Sequence, residues 1–544
     1  MYQVLTTYLK NNRLQFIFCI LILIFIGVKW SIGLSQHLDI LFGDEAEYMR
    51  NGLDLFKIIR NDWGPSYNIW YKFLSLYFSD VLELYYANYV IGGIAVSVLL
   101  FIALSSCKVD KLIALGLSFC FFVSSVNINT WPRISHFVVS LLLIAVILFS
   151  KVHSKAKKSL VFASVCFVCG YARPELFFAF ILLTFASLYF LYKEKKEIKS
   201  NLIYILILVL LVVLFQTVFG LPGGTYKDGL NRLYSAFCQH YTINYRYRTG
   251  IQFDAVTEWI EFCKLKFPDC QTIVDIMLKH PIEFLHHFLF NVKNYALLFL
   301  ITISSFVFPV ELLHSKKAIL LASVILFALI FLVLFFKDKR NFFLRLLKQH
   351  HLLLLFLFIF GLPSIGMSTI IFPRPHYILL HSIFIIFLLA FLLQSLFSKA
   401  TFKYWQLFGI GLLLLPLAPR ANDYKYIQFG KDMENLCEQK LIRYFESKKN
   451  KEYVVFTNYL NITYILPKNY SEFSTEFELK KGMSFATVLQ EEQINVILVS
   501  INILKNPILM ADSTWNELIA HPEKYGFKRV NYSDICESYL LIKE

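Results

Sequence analysis

The stretch NLIYILILVLLVVLFQTVF, residues 201–219, contains no charged side chain and is almost entirely aliphatic or aromatic. A helix needs about 20 predominantly apolar residues to cross the roughly 30 Å hydrocarbon core of a bilayer. Runs of similar length recur along the first 420 residues, and the whole chain is 57% hydrophobic and only 17% charged. Soluble domains carry about a quarter charged residues, so the composition excludes a water-soluble fold.

On both sides of this run, further apolar stretches bring the number of predicted membrane-embedded helices to about eleven. We place them at 14–34, 84–106, 112–127, 134–150, 160–172, 175–192, 201–219, 318–336, 351–371, 377–396 and 404–419. No small-residue cleavage site interrupts the first run, which predicts an uncleaved first span. The formal charge of +15 comes from Lys and Arg in short loops such as KVHSKAKK (151–158). Such loops mark the cytoplasmic side and do not indicate nucleic-acid binding.

Segment 292–313 is apolar enough to be a twelfth span. Counting it would place the five cations of the loop at 337–348 outside, against the preference of Lys and Arg for the cytoplasm. We therefore predict a membrane-surface or re-entrant helix for 292–313.

The composition becomes mixed and charged after residue 419. Strand-like runs at 453–459, 494–501 and 539–543, with a helix-like stretch at 431–447, predict a small α/β domain. The predicted fold class is an α-helical polytopic membrane protein with a small C-terminal α/β soluble domain. Its divisions are a membrane domain at 1–419, with outer-face loops 35–83 and 220–313, and a soluble domain at 420–544 on the outer, periplasmic face of the cytoplasmic membrane. The soluble domain has no glycine-rich phosphate loop.

The ten cysteines form no C-x-x-C motif, so their spacing indicates neither a zinc site nor a disulfide scaffold. Cys263 with Cys270, or Cys437 with Cys536, could pair if their segments face an oxidising compartment. Free, buried thiols are the favoured interpretation.

The first outer loop begins LFGDEAEYMRNG (41–52) and carries the carboxylate pair Asp44 and Glu45. The functional interpretation is a general base, or a metal ligand, that activates an acceptor hydroxyl at the membrane surface. The structural interpretation is a capping box between Asp44 and Glu47, with a helix at 45–60 lying on the bilayer. Spacing alone favours capping, and both roles can coexist.

The next stretch, NDWGPSYNIWYKFL (61–74), has a Gly-Pro turn followed by aromatic residues. Trp63, Trp70 and Tyr71 could stack on a sugar ring. Anchoring at the interfacial aromatic belt is the more common role.

Three arginines fall in short turns between apolar runs, at the predicted outer boundary of the membrane. Arg173 lies beside Glu175 in GYARPE (170–175), and Arg374 precedes His376 in PRPHYILL (373–380). Arg133 lies in NTWPRISH (129–136). Charges at this depth are costly unless paired or functional, so each is either a structural ion pair or a ligand for a lipid-linked phosphate. His136 is more simply a satisfied interfacial histidine, and RLYSAFCQHYTINYRYRTG (232–250) suits a cleft lid or a solvated loop.

The order of these motifs resembles the GT-C class of membrane glycosyltransferases, in particular bacterial relatives of protein O-mannosyltransferases and lipid A aminoarabinose transferases. GDEAEYMRNG looks like the acidic first outer loop of that class, WGPSYNIWYKF like its proline-led helix, GYARPE like its intermediate basic turn and PRPHYILL like its late Arg-Tyr segment. The resemblance implies a GT-C-like membrane fold and a polyprenyl-phosphate sugar donor. It makes Asp44, with Glu45, the catalytic candidate.

The same resemblance makes Arg173, Arg374 and Arg133 the candidate ligands of the donor phosphate. Trp63, Glu175, His376 and Tyr377 become candidate substrate contacts. No cofactor is certain, and a divalent metal ion at Asp44 is an open alternative.

The predicted activity is therefore transfer of a hexose or pentose from a polyprenyl-phosphate donor to a glycan, lipid or protein acceptor, with membrane lipid as the surroundings. A polyprenyl phosphate is a good leaving group whose charge an arginine can stabilise. Two alternatives stay open: a transporter or flippase of a lipid-linked sugar, and an oligosaccharide polymerase or ligase.

Overall fold

The computed structural model divides into two compact units, each assembled from separate stretches of chain. It describes residues 11–40, 43–57, 59, 64–128, 132–195, 198–221, 231–251, 259–306, 316–398, 404–420, 436–448, 452–457, 470–474 and 484–543. Unit 1 comprises the described parts of Met1–Ile32, Leu55–Trp70 and Ala87–Ile427. Unit 2 comprises those of Gly33–Asp54, Tyr71–Tyr86 and Gln428–Glu544.

The described helices and strands are numbered here in chain order. Up to residue 219 they are α1 (Asn12–Ser31), α2 (Leu34–His37), α3 (Asp44–Leu53), α4 (Pro65–Leu74), α5 (Val81–Ser106), α6 (Lys111–Val123), α7 (Ser125–Ile128), α8 (Ile134–Lys151), α9 (Lys155–Gly170), α10 (Leu176–Lys193) and α11 (Ile198–Phe219). From 232 to 417 they are α12 (Arg232–Thr249), α13 (Trp259–Lys266), α14 (Ile273–Lys279), α15 (Pro281–Ser305), α16 (Lys316–Phe335), α17 (Lys337–Gln349), α18 (His351–Ile370), α19 (Pro375–Leu396) and α20 (Tyr404–Leu417). The remainder are α21 (Cys437–Glu446), β1 (Tyr453–Thr457), β2 (Tyr470–Ser474), α22 (Phe485–Glu491), β3 (Val496–Val499), α23 (Ile501–Leu504), α24 (Pro507–Met510), α25 (Ser513–Ala520), a 3₁₀ turn (Pro522–Tyr525), β4 (Phe527–Val530) and β5 (Tyr539–Lys543).

Within the described residues, eight helices are long and apolar enough to cross a membrane. They are Asn12–His37, Val81–Ser106, Ile134–Lys151, Leu176–Lys193, Lys199–Phe219, Pro281–Ser305, His351–Ile370 and Pro375–Leu396. In lipid a helix is favoured because it bonds every backbone N–H and C=O within its own segment. The chain is therefore a membrane-embedded helical protein, as the sequence predicts.

The other predicted spans form shorter or bent helices. α6 and α20 are apolar but have only 13 and 14 residues, and α9 begins with a cationic turn. α16 meets α17 at a 98° bend, and counting this bent pair as one span gives up to nine in the described residues. α15 is itself a candidate span, whereas the sequence predicts a surface or re-entrant helix for 292–313, of which residues 307–313 lie outside the described part.

The helix ends of unit 1 meet in two groups. In the first, Lys111 Nζ donates to Asn12 Oδ1 at 2.9 Å, and the backbone N–H of Asp110 donates to Gln394 Oε1 at 2.9 Å. Lys339 Nζ joins this group through the Leu396 carbonyl at 2.7 Å. The starts of α1, α6 and α17 therefore lie beside the end of α19.

The second group holds the opposite helix ends of unit 1. Lys29 Nζ, near the end of α1, donates to the Leu415 carbonyl near the end of α20 at 2.8 Å. His287 Nε2, on the first turns of α15, lies 3.1 Å from the carbonyls of Ile370 and Ile371 at the end of α18. α1 and α20 thus run in the same direction, and α15 begins at the end of the unit where α18 finishes.

Unit 2 contains a five-stranded sheet in the order β2-β1-β3-β5-β4. β1 pairs in parallel with β2 and β3, and β5 pairs antiparallel with β3 and β4. The central strand β3 is buried along its whole length, and its core includes Phe456, Phe485 and Trp515. The predicted strand at 539–543 is confirmed as β5, and those at 453–459 and 494–501 are confirmed over the shorter β1 and β3, with residues 458–459 outside the described part.

The first loop folds together with the C-terminal segment inside unit 2. Arg443 Nη1 of α21 forms an ion pair with Asp80 at 2.5 Å, and Gln439 Nε2 donates to the Tyr86 hydroxyl at 2.6 Å. Cys437 and Cys536 form a disulfide, so the prediction of free thiols is wrong for this pair. It is confirmed for Cys263 and Cys270, which are free and buried.

Candidate active site

Asp44 is the first residue of α3, and its side chain is exposed. The residue before it, Gly43, occupies the cap position with φ 125°, a backbone conformation that favours glycine. No side chain caps this helix, so the predicted capping box between Asp44 and Glu47 is wrong. The Asp44 carboxylate forms no hydrogen bond or ion pair within the described part of the chain, which leaves both oxygens available to a ligand.

Glu45, the second residue of the pair, has a different environment. Its side chain is buried, and its Oε1 accepts a hydrogen bond from the hydroxyl of Tyr71 on α4. α3 ends at Leu53, short of the predicted 45–60, and Met49 is buried inside the unit. The two carboxylates therefore divide their roles: Glu45 holds α3 against α4, and Asp44 faces outward.

Arg173 and Glu175 form a local ion pair in unit 1. The Nε and Nη2 atoms of Arg173 both lie 2.8 Å from Glu175 Oε1. The turn that carries them starts where α9 ends at Gly170. A Cβ atom at Gly170 would meet the Phe177 ring at 2.6 Å, so this close return of the chain requires glycine.

The first turn of α19 lies beside this pair. The Arg173 guanidinium carbon is 4.6 Å from the centre of the Tyr377 ring, and the His376 and Tyr377 rings are 4.4 Å apart. The structure thus brings together four predicted site residues, two from the turn after α9 and two from the first turn of α19. The Glu175 carboxylate already compensates the Arg173 charge. Phosphate binding by Arg173 stays a prediction.

Arg374 is held differently. It lies between Pro373 and Pro375, where proline neighbours favour the extended backbone that Arg374 adopts at φ −119° and ψ 147°. Its Nη2 donates to Nε2 of His240 on α12 at 2.7 Å. Arg374 has no ion pair with any described residue and is half-buried, so its charge is not neutralised by a carboxylate.

His240 is buried, and its ring stacks on Phe372 at 4.8 Å. Burial, together with the charge of Arg374 and the nearby His287, lowers the pKa of His240 to about 3. The imidazole is therefore neutral at physiological pH and accepts the hydrogen bond from Arg374.

Arg133 lies deep in unit 1, with 1% of its surface exposed. Its Nη2 donates to the Ile128 carbonyl at 3.1 Å, and its Nη1 donates to the Asn127 carbonyl and lies 2.6 Å from His136 Nε2. The guanidinium carbon is 3.6 Å from the centre of the Tyr89 ring. These contacts hold the turn before α8, which is a structural role, and phosphate binding by Arg133 stays a prediction.

The remaining predicted residues divide between the described and undescribed parts of the chain. Trp63 lies outside the described residues. Trp70 Nε1 donates to Asn88 Oδ1 at 2.8 Å, so it is anchored by a polar partner. No group of three or more His, Cys, Asp or Glu side chains suited to a metal ion occurs among the residues that the structure describes, and metal binding at Asp44 stays a prediction.

Sequence reasoning did not single out His240. A signal exists in the chain: HYTIN (240–244) and HFLFN (287–291) both place His and Asn four residues apart, on one face of a helix. In the structure the two pairs meet, with Asn244 Nδ2 donating to Asn291 Oδ1 at 2.7 Å.

No protein-family model matches the chain, and a search of curated proteins gives no match. The resemblance to the GT-C class therefore rests on the motifs alone.

Proposed function

We propose that the protein transfers a sugar from a polyprenyl-phosphate donor to an acceptor hydroxyl on a glycan, lipid or protein, at the outer face of the cytoplasmic membrane. The observation that carries the proposal is the exposed Asp44 carboxylate, which has no partner among the described residues and follows the first membrane helix. A carboxylate in this state can accept a proton from a hydroxyl brought within hydrogen-bond reach.

The second requirement is a cation for the leaving group. The acceptor oxygen forms a bond to the anomeric carbon while the bond from that carbon to the phosphate oxygen breaks, and Asp44 takes the hydroxyl proton. The polyprenyl phosphate leaves with one additional negative charge. Within unit 1, Arg374 can bind a phosphate of this kind, because its only side-chain partner among the described residues is a neutral imidazole, which leaves its charge available.

The disulfide of unit 2 supports the proposed orientation. Disulfides persist in oxidising compartments such as the periplasm and are rare in the cytosol. Because the first loop and the C-terminal segment share unit 2, the Cys437–Cys536 bond indicates the same compartment for both. The cation-rich α17 begins beside the starts of α1 and α6 in unit 1, which fits the cytoplasmic preference of Lys and Arg.

Transfer can be tested with the full chain reconstituted in lipid vesicles and supplied with a panel of hexosyl and pentosyl polyprenyl phosphates. We expect Asp44→Asn to lower the rate of polyprenyl-phosphate release by about 100-fold or more, as for loss of a general base. The matched control is Glu83→Gln, which removes another exposed carboxylate of unit 2.

Full activity of Asp44→Asn at normal abundance would overturn the catalytic assignment. Movement of an intact lipid-linked sugar across the bilayer, without release of polyprenyl phosphate, would instead support a transporter.

A further inference from the structure

The hydrogen bond between Arg374 and His240 fixes the protonation of the imidazole. A guanidinium can only donate hydrogen bonds, so His240 Nε2 must accept from Arg374 Nη2 at 2.7 Å. The ring proton then resides on Nδ1. That atom is buried and finds no acceptor among the described residues, and the ring cannot gain a second proton without losing the Arg374 bond.

Arg173 and Arg374 are thus held in place by partners that differ in charge. Arg173 contacts the carboxylate of Glu175, which cancels its charge. Arg374 contacts a neutral ring, which fixes the direction of the guanidinium and leaves its charge intact. Only the second arrangement combines a fixed position with a full positive charge, the two properties that phosphate recognition needs.

The imidazole is itself held in place from several sides. Its ring lies against Phe372 with an angle of 14° between the planes. One helical turn further along α12, Asn244 bonds both Asn291 Oδ1 at 2.7 Å and His287 Nδ1 at 3.1 Å on α15. Asn291 Nδ2 in turn donates to the Ile371 carbonyl at 3.1 Å. α12, α15 and the turn that carries Arg374 therefore form one hydrogen-bonded frame.

We propose that His240 is a positioning residue, which orients Arg374 toward the phosphate of the lipid donor and, as a neutral acceptor, preserves its charge. This inference rests on the proposed function, which supplies the lipid phosphate as the ligand of Arg374. The described groups that face His240 are Arg374 from the turn and His287 from α15. Both disfavour a cationic ring, so the pair is expected to persist from about pH 5 to pH 8.

The pair itself can be tested without any activity measurement. Isotope-labelled histidine NMR on the full chain, with the His240 signal assigned by its absence in His240→Gln, should show a neutral ring protonated on Nδ1 throughout this pH range. Arg374→Ala should shift the Nε2 resonance. A proton on Nε2, a cationic ring near pH 6, or no response to Arg374→Ala would overturn the proposal.

Phosphate recognition is tested by binding a long-chain polyprenyl phosphate, with the uncharged polyprenol as reference, to the chain in lipid nanodiscs. His240→Ala should weaken phosphate binding about tenfold, as for the loss of one hydrogen bond to a charged group, and leave polyprenol binding unchanged. His240→Gln, whose amide oxygen can accept from Arg374, should restore most of the affinity. The matched control is Arg246→Gln, which removes an exposed arginine from the same helix.

Equal phosphate affinity of His240→Ala and wild type would overturn the positioning role. A different result would contradict the proposed function: wild type would bind polyprenyl phosphate through Arg374 but would release no polyprenyl phosphate from any sugar donor.

Discussion

Asp39 accepts a hydrogen bond from the backbone N–H of Glu438 at 3.0 Å, although 399 residues separate them in the chain. The same carboxylate, which is fully buried, also accepts from Gln439 N at 3.0 Å. The residue at the cap position of α21 is Leu436, which has no capping side chain. Asp39 therefore supplies the missing cap from the first loop.

Asp39→Ala should destabilise unit 2 by about 1–2 kcal/mol, the usual cost of losing a helix cap. Protease cleavage in the first loop should accelerate, because α21 no longer holds it. The control is Asp512→Ala, which removes the cap of α25 in the same unit and should leave cleavage of the first loop unchanged. Equal cleavage rates for Asp39→Ala and wild type would contradict this role.

Replacing Cys437 and Cys536 together by serine should lower the free energy of unfolding by about 2–4 kcal/mol, because the bond closes a long loop. Reductant should lower the melting temperature of wild type but not of the double variant. Cys270→Ser removes a free thiol and serves as the control. A melting temperature of wild type that reductant leaves unchanged would show that the bond does not stabilise unit 2.

The ion pair between Asp80 and Arg443 predicts a dependence of stability on pH. Burial alone would raise the pKa of Asp80, but hydrogen bonds from Arg443 and from the backbone of Glu83 and Leu82 outweigh it and lower the pKa below its usual 3.8. A lowered carboxyl pKa stabilises the folded state above pH 3.8, and the contribution is lost as pH falls through the folded value. The melting temperatures of wild type and Asp80→Asn should therefore differ at pH 6 and converge below about pH 4. A constant difference over this range would contradict the assignment.

Arg133 and Arg374 should respond differently to substitution. Arg133→Ala removes two buried hydrogen bonds to carbonyls and the contact with the Tyr89 ring, and should cost roughly 2–4 kcal/mol, with lowered abundance of folded protein. Arg133→Lys should recover little, because an ammonium lacks the planar fork that reaches both carbonyls. Arg374→Gln should keep normal abundance, and quantitative blotting of membrane fractions measures the contrast. Normal abundance of Arg133→Ala would return this arginine to the ligand candidates.

Sidedness can be measured with a membrane-impermeant thiol reagent on intact cells. Glu83→Cys, in unit 2, should label from outside, and Lys348→Cys, in α17, should label only after permeabilisation. The expectation follows from the disulfide of unit 2 and from the cations of α17. Labelling of both from the same side would refute the proposed orientation.

The membrane helices were predictable because the bilayer imposes one length and one character on each of them. The course of α15 and α16 was harder to predict. Residues 281–305 are long and apolar enough to cross a membrane, and only the neighbouring helix ends show where this part of the chain starts and finishes. α15 begins beside the end of α18, and α17 begins beside the end of α19. α18 and α19 are consecutive helices that pack on each other, so their C-terminal ends lie at opposite ends of unit 1. The start of α15 and the start of α17 therefore also lie at opposite ends of unit 1.

In unit 2, apolar runs predicted the inner strands β1, β3 and β5. No comparable apolar run marks β2 (YSEFS) and β4 (FKRV), which form the two edges of the sheet. Edge strands need no continuous apolar run, because one side has no neighbouring strand and charged residues there prevent aggregation.

The site shows the same division between local and distant contacts. Arg173 and Glu175 lie two residues apart, so their pairing could be read from the turn. His240 and Arg374 lie 134 residues apart, and no local pattern links them. The capping prediction for Asp44 failed because Gly43, with a φ of 125°, takes the cap position.

The long separation between Asp39 and Glu438 also has a consequence in time. A ribosome adds about 5–20 residues each second, so the 399 residues between them require roughly 20–80 s of synthesis. During that interval the first loop has been translated but its partner helix has not. Unit 2 therefore completes its fold only after the last membrane helix has been made, and a chain interrupted before α21 exposes a buried carboxylate to the cell's proteases.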